Sequence, residues 1–222
     1  MSFRLLKSLT PIIQPIYWRY LSRPRAYRYK KIRVLVSPGV FFPGFIISTK
    51  LFLQFIEQLD ISGKTLLELG AGSGIISVFA VLKGAIVTAS DINPKAVQDI
   101  HENAVRNNVE VTVIESDLFE GIPRSTFDFI IIAPPYYPRD PMNYQEMAWY
   151  CGRNFDFFER LFQQLPDYYH VSNQILMILS EDCNISRIKE IGAKHRFEFN
   201  LILKRRKLGE WNYIYNIGRH NS

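Results

Sequence analysis

The stretch TLLELGAGSGIISVFAVLKG, residues 65–84, constrains the fold of this chain more than any other. Its first five residues, 65–69, hold three leucines and read as a short strand. Alternate glycines follow at once (Gly70, Gly72, Gly74), and then an apolar run of helical length closed by Gly84. A strand that passes through a glycine turn into a helix is the opening half of a βαβ unit, because parallel strands need a crossover and the crossover covers the sheet. The alternation continues downstream. AIVTAS (85–90) is a second strand, and Asn93 and Pro94 start a helix over NPKAVQDIHENAVRN, with Ala96, Val97, Ile100 and Ala104 on one face. VTVIES (111–116), FDFIIIA (127–133) and QILMILS (174–180) are further strands, and helices near 154–164 and at 185–194 flank the last of them. TKLFLQFIEQL (49–59) carries a helical stripe ahead of the first strand, and FEFNLILK and WNYIYNI, joined by KRRKLGE, close the chain as a hairpin. The expectation is a doubly wound α/β domain: a mostly parallel, seven-stranded, Rossmann-like sheet covered on both faces, with an antiparallel strand from the terminal hairpin.

Hydrophobic residues, at 47%, suffice for one core, and the length of 222 residues suits one domain with an extension. Charge places the boundary. Residues 1–33 hold nine Lys/Arg and no acid, leaving 18 basic against 21 acidic residues in the remainder. The expected organisation is a basic aromatic arm, 1–40, and a domain, 41–222. The arm interleaves Tyr17, Trp18, Tyr20, Tyr27 and Tyr29 with arginines and lysines. Cations meet phosphates and aromatic faces stack on unpaired bases, so RNA or ribosome contact is one reading. Packing of the aromatics onto the domain and contact with an anionic membrane surface are the others. Pro11, Pro15 and Pro24 keep any helix there short or kinked. The run Lys204, Arg205, Arg206, Lys207 either extends a basic surface or is a plain hairpin tip.

Two cysteines, Cys151 and Cys183, suit free thiols in a reducing compartment, and the histidines show no metal or triad spacing. The longest apolar stretch, VLVSPGVFFPGFII, is broken by Pro38 and Pro43, and the N-terminus lacks an export-signal pattern. A cytoplasmic location without stable membrane insertion is expected.

Acids recur where strands end. Glu68 precedes the glycine loop, Asp91 closes the second strand and Asp117 closes the third. A nicotinamide site would need glycine at position 75, which is Ile75, and its loop serves a pyrophosphate. Three acids instead suit a ligand with ribose, adenine and positive charge.

LLELGAGSG, SDINPKAV, ESDLFEGI and FDFIIIAPPYYP, in this order and spacing, resemble the class I S-adenosylmethionine-dependent methyltransferases. More narrowly they are similar to the release-factor glutamine methyltransferase and its "small domain" relatives that methylate adenine or guanine amines in nucleic acids. The resemblance covers about residues 40–180. PGVFFPGFIISTK (38–50) resembles the segment that closes over the cofactor, and CGRNFDFFERLF (151–162) the stretch after the catalytic loop. It implies S-adenosylmethionine as cofactor, with Gly70, Ala71 and Gly72 under its methionine part and Glu68 beside its ammonium. Asp91 would hold the ribose, Ile92 would cover the adenine, and Asp117 would accept from the adenine amine with Leu118 alongside. Plain core packing for Leu118 and an exposed strand-end acid for Glu68 are the competing readings.

The family's catalytic loop reads Asn-Pro-Pro-Tyr. The asparagine oxygen and the first proline carbonyl accept both hydrogens of a planar amine, and the tyrosine stacks on the acceptor. Here the loop is Ala133, Pro134, Pro135, Tyr136. The implied catalytic residues are Ala133, Pro134 and Tyr136, and the implied substrate contacts Tyr136, Tyr137 and Phe42. Alanine removes one acceptor, worth about 1–3 kcal/mol, or roughly ten- to a hundredfold in rate. The function this implies is N-methylation of a macromolecule: an exocyclic amine of RNA (rRNA or tRNA) first, a protein glutamine amide second. An RNA- or ribosome-binding module that lost catalysis through Ala133 is the alternative of another class.

Overall fold

The computed structural model describes residues 19–45 and 47–219. A hairpin of β1 (Arg25–Tyr29) and β2 (Ile32–Val36) precedes helix α1 (Ile47–Ile56). The expected alternation then runs through β3 (Thr65–Leu69), α2 (Ile75–Leu82), β4 (Ile86–Asp91), α3 (Pro94–Arg106), β5 (Thr112–Glu115) and β6 (Phe129–Ile132). After β6 come a single turn, α4 (Tyr144–Met147), then α5 (Asp156–Gln164), β7 (Gln174–Ser180), α6 (Ile185–Lys194) and a hairpin of β8 (Phe197–Lys207) and β9 (Glu210–Arg219).

Seven strands form one sheet in the order β5-β4-β3-β6-β7-β9-β8. Pairings are parallel as far as β7; β9 is antiparallel to both of its neighbours and is the inverted strand. The run of cations in KRRKLGE belongs to β8 rather than to the turn, which is Leu208–Gly209 alone. Side chains alternate across the sheet. Leu66, Ile131 and Leu176 pack with Phe52, Leu53 and Ile56 of α1 and Val78 of α2. Leu67, Ile130 and Ile175 face the other way, onto Phe158, Leu161 and Phe162 of α5 and Ile188 and Ile191 of α6. This burial on both faces is why the parallel strands read as unbroken apolar runs.

The segment read as an arm departs from expectation. From Arg25 onward it is a hairpin built into the body: Tyr29, Ile32, Val34 and Val36 are buried in the same core as α1 and α2. Tyr29 meets Phe79 edge-on at 5.7 Å, so for this aromatic the packing reading holds. Tyr17, Trp18 and the cations before them lie outside the described residues.

Asp99 and Asn103 of α3, with Asn107 just past its end, hold the outer edge of β2 and the residue after it. Asn107 accepts from Arg33 N (3.1 Å) and donates to Arg33 O (2.8 Å). Asn103 accepts from Leu35 N and donates to Leu35 O, both at 2.8 Å. Asp99 accepts from Ser37 N (2.7 Å) and Ser37 Oγ (2.6 Å). Four helical residues advance about 6 Å and two strand residues about 6.6 Å, so every helical turn meets every second strand residue. The helix thereby stands in for a neighbouring strand and covers an edge. Asn103 is fully buried and also donates to Ser73 O at 3.0 Å. Asn103→Ala leaves these backbone groups without partners and is expected to destabilise the chain by about 2–4 kcal/mol. Urea unfolding measures this; an unchanged midpoint would show that the clasp adds nothing.

Candidate active site

Strands β3, β4 and β5 progress to one side of the sheet, and β6 and β7 to the other. The carboxyl ends of β3 and β6 therefore flank the point where the order reverses, and the connections leaving them diverge around a crevice. A cavity of about 370 Å³ opens there, a size ordinary for small-molecule sites.

Its floor is the glycine loop. Gly70 N and Ala71 N both donate to Ser90 O at 2.9 Å, which fastens the loop to β4. Gly74 starts α2 at φ +72°, and a Cβ there would lie 3.1–3.2 Å from atoms of Ile100. Glycine is thus what lets α2 start against α3.

Two carboxylates line the loop in different ways. Glu68 is buried (5% exposed) and accepts from the Ser77 hydroxyl. Burial lifts its pKa to about 8, opposed by the Ser77 hydrogen bonds. Asp91 accepts from Gly72 N (2.8 Å) and Asn93 N (2.9 Å). Burial raises its pKa, and these amide bonds oppose the shift. Asp117 gives one oxygen, Oδ2, to Arg160 at 2.7 Å, and Arg160 also reaches Glu120 at 2.8 Å. Leu118, buried beside it, adopts φ +52°.

The loop after β6 forms the opposite wall. Ala133 is exposed, toward the cavity that it lines, and Pro134 is buried. Tyr136 N and Tyr137 N both donate to Trp149 O (3.2 and 3.0 Å), and Tyr137 O accepts from Cys151 N (2.9 Å). No backbone amide of the described residues donates to the Pro134 carbonyl. The Tyr136 hydroxyl is hydrogen-bonded to Ser180 and the Tyr137 hydroxyl to Tyr136; burial pushes both phenols above their usual range. Their rings lie 4.8 Å apart, tilted 51°. Both are held before any acceptor arrives.

Every residue expected at the site lines this cavity except Phe42. Phe42 is buried instead, edge-on to Tyr20 (6.4 Å) and Tyr27 (6.1 Å). Its neighbour Phe41 lines the cavity and meets Trp149 across the mouth, ring centres 5.2 Å apart. Adjacent residues of an extended segment point opposite ways, so only the three-dimensional path chooses between the two phenylalanines. Sequence reasoning also missed Trp149, Arg160 and Ser180. Ser180 was within reach, as the last residue of a strand at the carboxyl edge where ligands bind.

S-adenosylmethionine fits this donor set: a buried carboxylate at the loop for an ammonium, a second carboxylate at the tip of β4 for hydroxyls, and an apolar wall with a carboxylate for adenine. Among the described residues no group of His, Cys, Asp and Glu could hold a metal ion, and both cysteines are free and buried. Among the same residues no helix is long and apolar enough to cross a membrane.

Sheet order, glycine loop and acid-tipped strands define a class I S-adenosylmethionine-dependent methyltransferase. The profile of the methyltransferase small domain family matches residues 31–148, and the chain belongs to this family. A protein of Methanocaldococcus jannaschii, provisionally named a protein N5-glutamine methyltransferase, is 34% identical over 173 residues, 73% of this chain and 85% of that one. The ribosomal protein L11 methyltransferase of Vibrio campbellii is 36% identical over 118 residues, 52% of this chain; the chain spans only 38% of its length. Among solved structures, the Thermus thermophilus 16S rRNA N2 G1207 methyltransferase in complex with AdoMet and guanosine superposes with a TM-score of 0.62. It is 16% identical, over 87% of this chain and 50% of that one, and shares the fold. The relatives act on both protein and RNA.

Proposed function

We propose that the chain transfers a methyl group from S-adenosylmethionine to an exocyclic amine of RNA, in rRNA or tRNA, in the cytoplasm. The observation that carries this reading is the ring wall of Tyr136 and Tyr137 beside the donor cavity, with exposed Arg139 two residues on. A fixed aromatic wall suits a flat, splayed-out base better than a flexible aliphatic side chain. The Arg139 guanidinium, 5.0 Å from the Tyr150 ring centre, adds positive charge for phosphate at the mouth.

In this reading Glu68 meets the cofactor ammonium, and Gly70, Ala71 and Gly72 let the backbone approach the methionine part. Asp91 accepts from the ribose hydroxyls. Ile92 and Leu118 cover the adenine, and Asp117 accepts from its amine with the oxygen that Arg160 leaves open. When bound, the cofactor supplies a methyl group on a sulfonium, which needs no activation. The chain's work is positioning. The Pro134 carbonyl accepts one N–H of the amine and favours the charge that builds on nitrogen. Tyr136 and Tyr137 hold the base, and Phe41 and Trp149 narrow the mouth against water. Ala133 offers no second acceptor, so stacking and one carbonyl orient the nucleophile.

The test is methylation of RNA from cells lacking the gene, using tritiated cofactor. Tyr136→Ala is expected to lower kcat/KM about thirtyfold with S-adenosylhomocysteine affinity unchanged. Ala133→Asn is expected to raise turnover up to about tenfold by restoring an acceptor. Label in protein but not RNA would favour the second reading, glutamine N-methylation, which the similarity to the archaeal relative and the Pro134-Pro135-Tyr136 run support. Label in neither would end both.

A further inference from the structure

The β8–β9 hairpin carries four consecutive cations, Lys204 to Lys207, that neither the cavity nor the catalytic loop uses. Lys204 lies opposite Tyr213 and Arg206 opposite Trp211, so two cations and two rings share one face of the ribbon. Lys204 Nζ stands 4.7 Å from the centre of the Trp211 ring and 5.7 Å from that of Tyr213. The Arg206 guanidinium stands 5.7 Å from Trp211. Rings beneath cations hold long side chains in place, and such contacts leave the charge outward. Arg205 and Lys207 alternate to the other face, toward Lys50 of α1. Partial burial first, and the Lys50 and Arg205 charges after it, lower the proton affinity of Lys207. Glu210, opposite Lys207, and Asp182 are the acids on this side; both act on Tyr137, and Glu210 also acts on Tyr136. Among the described residues Lys204, Arg205 and Arg206 are exposed and form no salt bridge. Crowded cations of this kind repel one another, and a polyanion relieves the repulsion.

The ridge lies two strands from the cavity wall, at the same end of the sheet. Trp211 O accepts from Glu181 N at 2.9 Å, and Asn212 pairs with Ser180, which lines the cavity and bonds the Tyr136 hydroxyl. On the other side Lys50 follows Thr49, also in the cavity wall. The β1–β2 turn, by contrast, lies away from it. Lys30 pairs with Glu57, just past the end of α1, roughly 15 Å along the helix from its cavity end.

We propose that the Lys204–Lys207 ridge docks the sugar–phosphate backbone of a single-stranded RNA segment beside the catalytic loop. The inference rests on the RNA reading above. Cations on both faces of a narrow ribbon suit a flexible polyanion that bends around it, rather than the flat face of a folded acidic protein. The acceptor strand then enters over β8–β9 and presents one base to Tyr136, and the cations of the β1–β2 hairpin play the smaller part.

The experiment compares two charge-matched variants of the full chain, Lys204→Ala/Arg205→Ala/Arg206→Ala and Arg28→Ala/Lys30→Ala/Lys31→Ala. Anisotropy of a labelled single-stranded RNA of about 20 nucleotides is followed against salt, with calorimetry of S-adenosylhomocysteine reporting an intact site. The ridge triple is expected to weaken RNA binding at least about tenfold and to flatten the slope of log K against log salt by about 2. The β1–β2 triple should change each by less than half as much. If the ridge triple fails to bind S-adenosylhomocysteine, Lys204→Gln/Arg206→Gln, which keeps alkyl cover on Trp211, replaces it. Equal losses in the two triples, or no loss on the ridge while RNA is still methylated, would overturn the docking role and leave the RNA reading standing. Methylation of protein alone, with no RNA bound by the unaltered chain, would overturn both.

Discussion

Asp91→Ala is expected to weaken S-adenosylhomocysteine binding by more than about a hundredfold, the largest loss of any single side chain at the cavity. The carboxylate accepts from Gly72 N and Asn93 N, so it holds the glycine loop and the start of α3 in one arrangement while lining the cavity. Hydrogen bonds to a charged group are worth about 1.5–3 kcal/mol each, and removing the acceptor leaves both amides without it. Loss of the proposed ribose contact adds to this, and a hundredfold corresponds to about 2.7 kcal/mol. Asp91→Asn keeps one acceptor oxygen and should fall between. Calorimetric titration decides it, and an alanine variant with undiminished affinity would remove Asp91 from the binding site.

The second large effect is a pH dependence. Glu68 titrates near 8 in the folded, ligand-free chain against an ordinary carboxylate value of 4.5, because burial disfavours its charge. The folded state therefore binds more protons than the unfolded state between these values. The stability Glu68 contributes is complete below about pH 4.5 and is lost as pH rises through 8, with a slope approaching about 1.4 kcal/mol per pH unit. Glu68→Gln should remove that component, so the variant gains on the parent chain from pH 5 to pH 8. In the proposed arrangement the cofactor ammonium beside Glu68 reverses the balance by favouring the carboxylate. Binding S-adenosylhomocysteine near pH 6.5 should release close to one proton from the parent chain and none from the variant. Enthalpies in two buffers of different ionisation heat measure this directly; equal proton release would mean that Glu68 is not the group opposite the ammonium.

The β1–β2 hairpin shows where local pattern stops being informative. Ile32, Val34 and Val36 alternate as a half-buried strand does, but the surrounding arginines and lysines made the segment look solvated. What anchors it is Asp99, Asn103 and Asn107, more than 60 residues away in sequence and four residues apart. Separation in sequence also hid the pairing of Arg160 with Asp117, 43 residues apart. Phe41 and Phe42 are chemically identical, and only the path of the backbone puts one in the cavity and the other in the core.

By itself the sequence determined the order of strands and helices, the glycine turn, the acids at the tips of β3 and β4, and the diproline exit from β6. Each of these follows from residue periodicity or from the backbone freedom of a few neighbouring residues, which are local properties. Tertiary structure decided which aromatics close the mouth, that the β1–β2 hairpin belongs to the core, and that the cations of β8 lie two strands from the Ser180 wall of the cavity. Those depend on side chains distant in sequence meeting across helix faces and strand edges, and such meetings exist only once the sheet has assembled.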